Sequence, residues 1–345
     1  MPPQTRVVLE IQDHGPGMSR LGLTFACGKY DRMEALRTGE VTVEGVDLNY
    51  LGIEAPREIF DRMGGAEEFD AAEFSASEFI GRMARGDRAL VALPVFPSRV
   101  FRHGYIYVNR RAGIRTPKDL EGRRVGTALY TQTAAVWIRG LLAHQYDVDL
   151  STIRWVQGAV EKGGAHGDPN APPLLAPAAI EMNLSGRSLS ELLAAHEIDA
   201  IAAARRPTVR HPDVAPLFAD AKAVERDYFR DTGIFPIMHL VAIRRGVYEA
   251  NPWIASSLYK AFTASKNWAL DRMHRTAALR YMLPWLDHDV DEIDEVFGGD
   301  PWPYGIEANR PTLEALVQYM AEQHLIAKPL PIEDLFVPLP GRSEG

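Results

Sequence analysis

Short apolar runs alternate with amphipathic stretches along most of this chain, which is the rhythm of an α/β protein. Leu21–Cys27, Val46–Leu51 and Phe69–Phe74 read as strands, with helices Asp31–Thr38 and Pro56–Met63 between them. Proline suits the first position of the second helix, where its missing N–H costs nothing. Ser77–Arg85 reads as a helix with Phe79, Ile80, Met83 and Ala84 on one face and Ser77 as its cap. Two further strands, Leu90–Phe96 and Tyr105–Asn109, flank a turn that carries Ser98, Arg99, Arg102 and His103.

After Asn109 the rhythm restarts. Thr116-Pro-Lys-Asp opens a helical turn, and Val125–Ala128, Ile153–Gly158 and Ile198–Ala203 read as strands. Thr131–Tyr146 is a long helix begun by hydroxyl residues, Leu189–Ala195 and Val224–Arg230 are shorter ones, and Gly158–Pro177 is a Gly/Pro/Ala-rich surface loop. Ile234–Ile243 is a strand, and beyond Tyr248 the chain reads as helical: Trp253–Met273, Thr276–Leu286, Val290–Phe297 and Thr312–Ile326. No internal repeat is visible.

A chain of 345 residues is long enough for two cores, and 46% hydrophobic with 24% charged residues is ordinary for a globular protein. A net charge of −8 argues against nucleic acid or an anionic membrane as the main partner, so an anionic ligand must be drawn by local positive charge. Cys27 is the single cysteine, which rules out an internal disulfide and any Cys-based zinc site. No apolar run approaches a membrane span, and Met1–Met18 lacks the apolar core of a secretory signal, so a cytoplasmic location is expected. Met18 reads as a second start, and residues 1–17 as a disordered extension.

Three strand-to-helix turns offer polar atoms where α/β sheets bind ligands: Gly28–Arg32, Glu73–Ser77 and Tyr130–Ala134. Ser75, Ser77, Thr131 and Thr133 can donate hydroxyls there, although Ser77 and Thr131 serve equally well as plain helix caps. Arg32, Arg99 and Arg102 are the candidate carboxylate clamps, since a planar guanidinium pairs a carboxylate with two bonds. The chain has 31 arginines against 7 lysines, so most, including Arg37, Arg57, Arg82 and Arg85, read as solvated faces. Arg102 reads alternatively as a hinge residue paired with a local acid. His103 and His239 each adjoin a strand that follows a Pro-containing apolar run and stand as acid/base candidates, with Glu73 a third. No His-x-His, no paired Asp cluster and no Gly-rich phosphate loop appears in these turns, so no metal is expected there.

The wording of several segments resembles the 4,5-dihydroxyphthalate decarboxylases. They are Ala26–Arg32, Val43–Tyr50, Phe69–Ser77, Leu93–Asn109, Asp119–Gly126 and Thr232–His239, and the resemblance runs over roughly residues 20–337. Phe96-Pro-Ser-Arg with Arg102-His103, and Gly233-Ile-Phe-Pro-Ile-Met-His239, are the specific parts, while Asp119-Leu-Glu-Gly122 speaks only to fold. This family looks like type II periplasmic binding proteins that gained chemistry. The resemblance implies an α/β two-domain fold with two hinge crossings and an inter-domain cleft. Residues 18–104 plus 238–345 would form one domain and 105–237 the other. It implies non-oxidative decarboxylation of a hydroxylated aromatic dicarboxylate, most simply 4,5-dihydroxyphthalate to protocatechuate and CO2.

The aromatic ring is its own electron sink in such a reaction, so the resemblance implies no organic cofactor. The protein supplies a clamp, for which Arg99 with Arg32, Tyr30 or the Ser75/Ser77 turn is favoured, and acid/base groups, for which His103, His239 and Glu73 are favoured. Two other readings stay open on this scaffold: a solute-binding protein for a small aromatic carboxylate, and a chorismate-type dehydratase. The C-terminal helices leave both an internal packing and a homo-oligomer open.

Overall fold

The computed structural model describes residues 20–164, 173–275 and 277–339. The 1–17 extension and the middle of the Gly158–Pro177 loop lie outside the described residues. The chain opens with β1 (Leu21–Cys27), α1 (Asp31–Thr38), β2 (Val46–Gly52), α2 (Pro56–Gly65), β3 (Ala71–Ser75), α3 (Ala76–Ala84) and β4 (Leu90–Arg99). It crosses into β5 (Ile106–Asn109), β6 (Arg124–Thr127), α4 (Thr133–Tyr146), β7 (Arg154–Gln157), β8 (Ile180–Met182), α5 (Leu189–Ala194), β9 (Ala200–Ala202), β10 (Val214–Pro216) and α6 (Ala221–Thr232). It then returns through β11 (Ile237–Arg244) to α7 (Arg245–Ala250), α8 (Ile254–Met273), α9 (Leu286–Phe297) and α10 (Arg310–Glu322).

Two sheets result. The first runs β2-β1-β3-β11-β4 and the second β10-β5-β9-β6-β7-β8. β11 is antiparallel to both its neighbours, β3 and β4, so the returning strand is inserted beside the outgoing one. Val100 N–H donates to the Pro236 carbonyl at 3.1 Å, which ties the two crossings together where they leave the first sheet. Apolar alternation on the inner strands buries Phe25, Phe74, Phe96 and Val241 almost completely under α1, α3 and α8. Each such side chain is worth about 1.5–3 kcal/mol.

α10 comes from the C-terminal part of the chain yet packs on α4 of the second sheet. The contact is close because position 140 is glycine: a Cβ there would stand 2.0 Å from the Tyr319 ring. Gln323 accepts from Arg139 Nε at 2.8 Å and donates to the Val136 carbonyl at 3.0 Å. On another face α6 and α9 are laced by Lys222–Asp289, Lys222–Glu292, Arg226–Glu292 and Arg230–Glu295 pairs. Phe229 and Phe297 pack tilted beneath them.

Several local expectations change. Ser75, not Ser77, is the N-cap of α3, accepting from Glu78 N–H, and α4 starts at Thr133 with Gln132 at its cap. β4 runs on to Arg99, so Ser98 and Arg99 sit on a strand rather than in a turn. β8 and β10 were not expected; at three residues each they are too short to show alternation. The helix expected over Thr276–Leu286 is a series of turns in its described part. Pro284 removes a donor and constrains its predecessor, and Leu279, Met282 and Leu283 are exposed, so no burial supports a helix there. No helix among the described residues is long and apolar enough to cross a membrane.

Candidate active site

Side chains on a strand alternate faces, so Glu73 and Ser75 of β3 share one face of the sheet. The β3–β11 register sets His239 opposite Ser75, and the β11–β4 register sets it opposite Ser98. Glu73 is therefore the diagonal neighbour of His239 across the pair, within reach of long side chains. His239 Nδ1 lies 2.5 Å from Glu73 Oε1. Glu73 is fully buried. It also accepts from Tyr30 OH at 2.7 Å on Oε1, and from Gly28 N–H at 3.0 Å and Cys27 Sγ at 3.5 Å on Oε2. Gly28 is needed there, because a Cβ would stand 2.8 Å from the Tyr30 ring.

Burial alone would raise the Glu73 carboxyl, but the charge and hydrogen bond of His239, with the bonds from Gly28 and Tyr30, outweigh it and hold the group below the usual range. An ionised Glu73 is an acceptor only, so the proton between the pair sits on Nδ1 and Nε2 is left for chemistry. Nε2 has no hydrogen-bond partner among the described residues.

His239 lines a cavity of about 200 Å³ between the two sheets. Its walls include Ser75, Ser98, Arg102, Thr133, Phe60 and Met238. The Phe60 ring meets the His239 ring edge-on at 4.8 Å and fixes its tilt. Ser75, Ser77 and Thr133 form a hydroxyl cluster at the starts of α3 and α4: Ser75–Thr133 is 3.1 Å and Ser77–Thr133 is 2.9 Å. Helix starts carry backbone donors without a carbonyl partner in the helix and a partial positive charge, both suited to an anion.

Arg102 adds a full charge. It is 5% exposed, and its bonds go to the Met238 sulfur at 2.6 Å and the Ala204 carbonyl at 3.4 Å, while Nε has no partner. Burial lowers the guanidinium to about 10, and no carboxylate among the described residues forms an ion pair with it. A buried cation whose hydrogen bonds go only to a thioether and a carbonyl, with the Tyr105 ring at 4.9 Å, favours a carboxylate placed in the cavity.

Other expected residues are elsewhere. His103 is 1% exposed behind the crossing, with Nε2 on Gln145 at 3.0 Å and its ring caged by Tyr146, Phe218 and Tyr228. Burial lowers it and disfavours its charged form, although Nδ1 stands 4.0 Å from Glu225, and it does not line the cavity. Arg99 turns into the first lobe, donating to the Pro303 carbonyl at 2.9 Å and to Asn309 Oδ1, and burial lowers it to about 9. It ties down the C-terminal segment instead of facing the cavity. Arg32 is sandwiched between the Tyr30 and Trp302 rings at 4.3 and 4.2 Å, and its Nε donates to the Pro97 carbonyl at 2.6 Å. Tyr30 reaches Glu73 rather than the cavity wall. Thr131 contributes only its carbonyl, which accepts from Ser77 Oγ at 2.9 Å.

Sequence reasoning missed part of the wall. Arg57 was read as solvated, yet it lines the cavity with Phe60, bound to Glu78 at 2.5 and 3.1 Å. The i, i+3 spacing of Arg57 and Phe60 on α2 was the available signal. Arg82 is likewise tied down, to Asp87 at 2.8 Å and the Gly64 carbonyl. Among the described residues no group of three His, Cys, Asp or Glu side chains is arranged to hold a metal ion.

No family model matches the chain. It is 35% identical over 329 residues to 4,5-dihydroxyphthalate decarboxylase of Comamonas testosteroni, covering 93% of this chain and 98% of that protein. It is 36% identical over 216 residues to 4,5-dihydroxyphthalate decarboxylase of Pseudomonas putida, covering 62% of this chain and 83% of that one. In fold it is similar to the periplasmic aliphatic sulphonate binding protein SsuA from Escherichia coli, with a TM-score of 0.52, 14% identity and 95% of each chain covered. Two lobes joined by two crossings, together with this identity over almost its whole length, place the chain in the 4,5-dihydroxyphthalate decarboxylase family, on a periplasmic-binding-protein-like fold.

Proposed function

We propose that the chain decarboxylates 4,5-dihydroxyphthalate in the cavity between its lobes, with His239 as the proton donor and Glu73 as its partner. The observation that carries this reading is a histidine that lines the cavity beside a buried Arg102, which no carboxylate among the described residues ion-pairs, while its Nδ1 is held by a fully buried carboxylate. The similarity to the decarboxylases supports the substrate, and the geometry of the site supports the roles.

The reaction consumes one proton: an aryl carboxylate and a proton give an aryl C–H bond and CO2. Protonated His239 gives its Nε2 proton to the ring carbon bearing the departing carboxylate, helped by electron density from the hydroxyl para to it. The C–CO2 bond then breaks, its electron pair restores aromaticity, and the imidazole regains a proton from solvent. Glu73 stabilises the charged imidazolium between turnovers. The carboxylate that stays is held by Arg102 and the hydroxyls of Ser75 and Thr133. The one that leaves must not be tightly ion-paired, since a cation bound to it would stabilise the ground state more than the transition state. A cytoplasmic location fits a substrate of intracellular catabolism and is part of this proposal.

The test is to incubate the purified protein with 4,5-dihydroxyphthalate and follow protocatechuate and CO2. Turnover is expected, and His239→Gln is expected to lower kcat by about 10²–10⁴. Ligand-induced thermal stabilisation without product would make the chain a binding protein instead. Unchanged turnover in H239Q would remove His239 from the proton transfer.

A further inference from the structure

We infer that Tyr30 is a positioning residue that sets the acid strength of His239 by sharing one oxygen of Glu73 with it. This rests on the reading of His239 as the proton donor. Tyr30 OH and His239 Nδ1 both bind Oε1, at 2.7 and 2.5 Å, whereas Gly28 N–H and Cys27 Sγ bind Oε2. An oxygen that already accepts a phenol bond has less electron density to offer a second donor. The shared oxygen therefore holds the imidazolium less tightly than an unshared one would. That matters for this reaction, because an imidazolium pinned by a buried carboxylate is a poor acid toward ring carbon.

The surroundings support the assignment. Arg32 stacks on the Tyr30 ring at 4.3 Å, which draws electron density from the phenol and strengthens it as a donor. The phenol itself stays protonated, since burial and the Glu73 charge push its own ionisation far up. Other titratable or charged groups also surround the pair. Cys27 on β1 bonds the other oxygen, and Tyr50 on β2 donates to the Gly28 carbonyl at 2.6 Å. On the cavity side lie Arg102, Arg205, which pairs with Glu161, and Arg57, which pairs with both Glu78 and Asp61. Among the described residues Tyr30 alone shares Oε1 with His239.

Tyr30→Phe keeps the ring and its stack under Arg32 and removes only the hydroxyl. Without the competing bond Glu73 pulls harder on the His239 proton, so the protonated ring persists to higher pH. The alkaline limb of the kcat profile is expected to move up by about half to one pH unit. At neutral pH kcat should fall several-fold with KM little changed, and an NMR titration of the His239 ring should move with the limb.

Cys27→Ala, which acts on the other oxygen, should shift the limb less. A limb that stays in place, or one that C27A moves equally, would overturn the inference. A raised KM with an unmoved limb would also overturn it and make Tyr30 a substrate contact. H239Q separates the two levels: if it is inactive while Y30F leaves the limb unmoved, only the Tyr30 role falls. If H239Q turns over normally, the donor reading falls and takes this one with it.

Discussion

The two histidines show how little a residue's type says about its role. Both adjoin crossing strands, yet His239 shares a buried carboxylate and faces a cavity, while His103 is walled in by three aromatic rings. The arginines divide in the same way. Arg99 spends its donors on Pro303 and Asn309, whereas Arg102 has a sulfur, one carbonyl and an orphaned Nε. Arg102→Gln is therefore expected to raise KM about 10- to 100-fold, the loss of one charge-assisted contact, with a smaller effect on kcat. Steady-state kinetics beside a far-UV spectrum that confirms folding would check this. A kcat loss at constant KM would move Arg102 from clamp to chemistry.

At the level of elements, the cavity is made by where helices start. α3 and α4 come from different lobes, and their first turns meet through Ser75, Ser77 and Thr133. The far end of that arrangement is held by α10. It crosses α4 at Gly140, with Tyr319 edge-on to Trp137 at 5.6 Å, and Trp137 Nε1 donates to the Ile237 carbonyl of β11 at 2.8 Å. Gly140→Ala would drive a methyl into the Tyr319 ring, and the loss from such overpacking is about 1–3 kcal/mol. A denaturation midpoint in urea lower than wild type, with an unchanged slope, is the expected result. An unchanged midpoint would mean that α10 slides on α4 without cost.

For the whole molecule, the buried ionisable groups set the response to acid. His103 and Glu73 are both buried, and both are lowered from their ordinary values, 6.5 and 4.5. In each case the native state binds fewer protons than the unfolded chain as pH falls. Their stabilisation is full above the unfolded-state values and is lost as the pH drops through the folded-state ones. The histidine part begins to fail below about 6.5 and the carboxylate part below about 4.5. His274, raised chiefly by its bond to the Leu270 carbonyl and then by Asp294, acts in the opposite sense, but it is exposed and solvent-screened. The thermal midpoint is expected to decline from pH 7 to 5, and His103→Gln to flatten the upper part of that decline. An equal slope in the variant would show that His103 is not the group responsible.

Much of this organisation was legible in the chain itself. β1 and α1 lie where the periodicity put them, the Glu73–Ser75 alternation is local, and Ser75 and Thr133 sit at turns where caps and anion donors are expected. These features depend on spacing over a few residues, which sequence records directly. The pairing of Glu73 with His239 spans 166 positions, and the choice of Arg102 over Arg99 depends on which guanidinium finds carbonyls and an amide to satisfy it. The sequence by itself determined the α/β alternation, the family and the short set of candidates. Only the tertiary structure decided which of them face the cavity, because burial and the partners of a buried charge are set by strands and helices far apart in the chain.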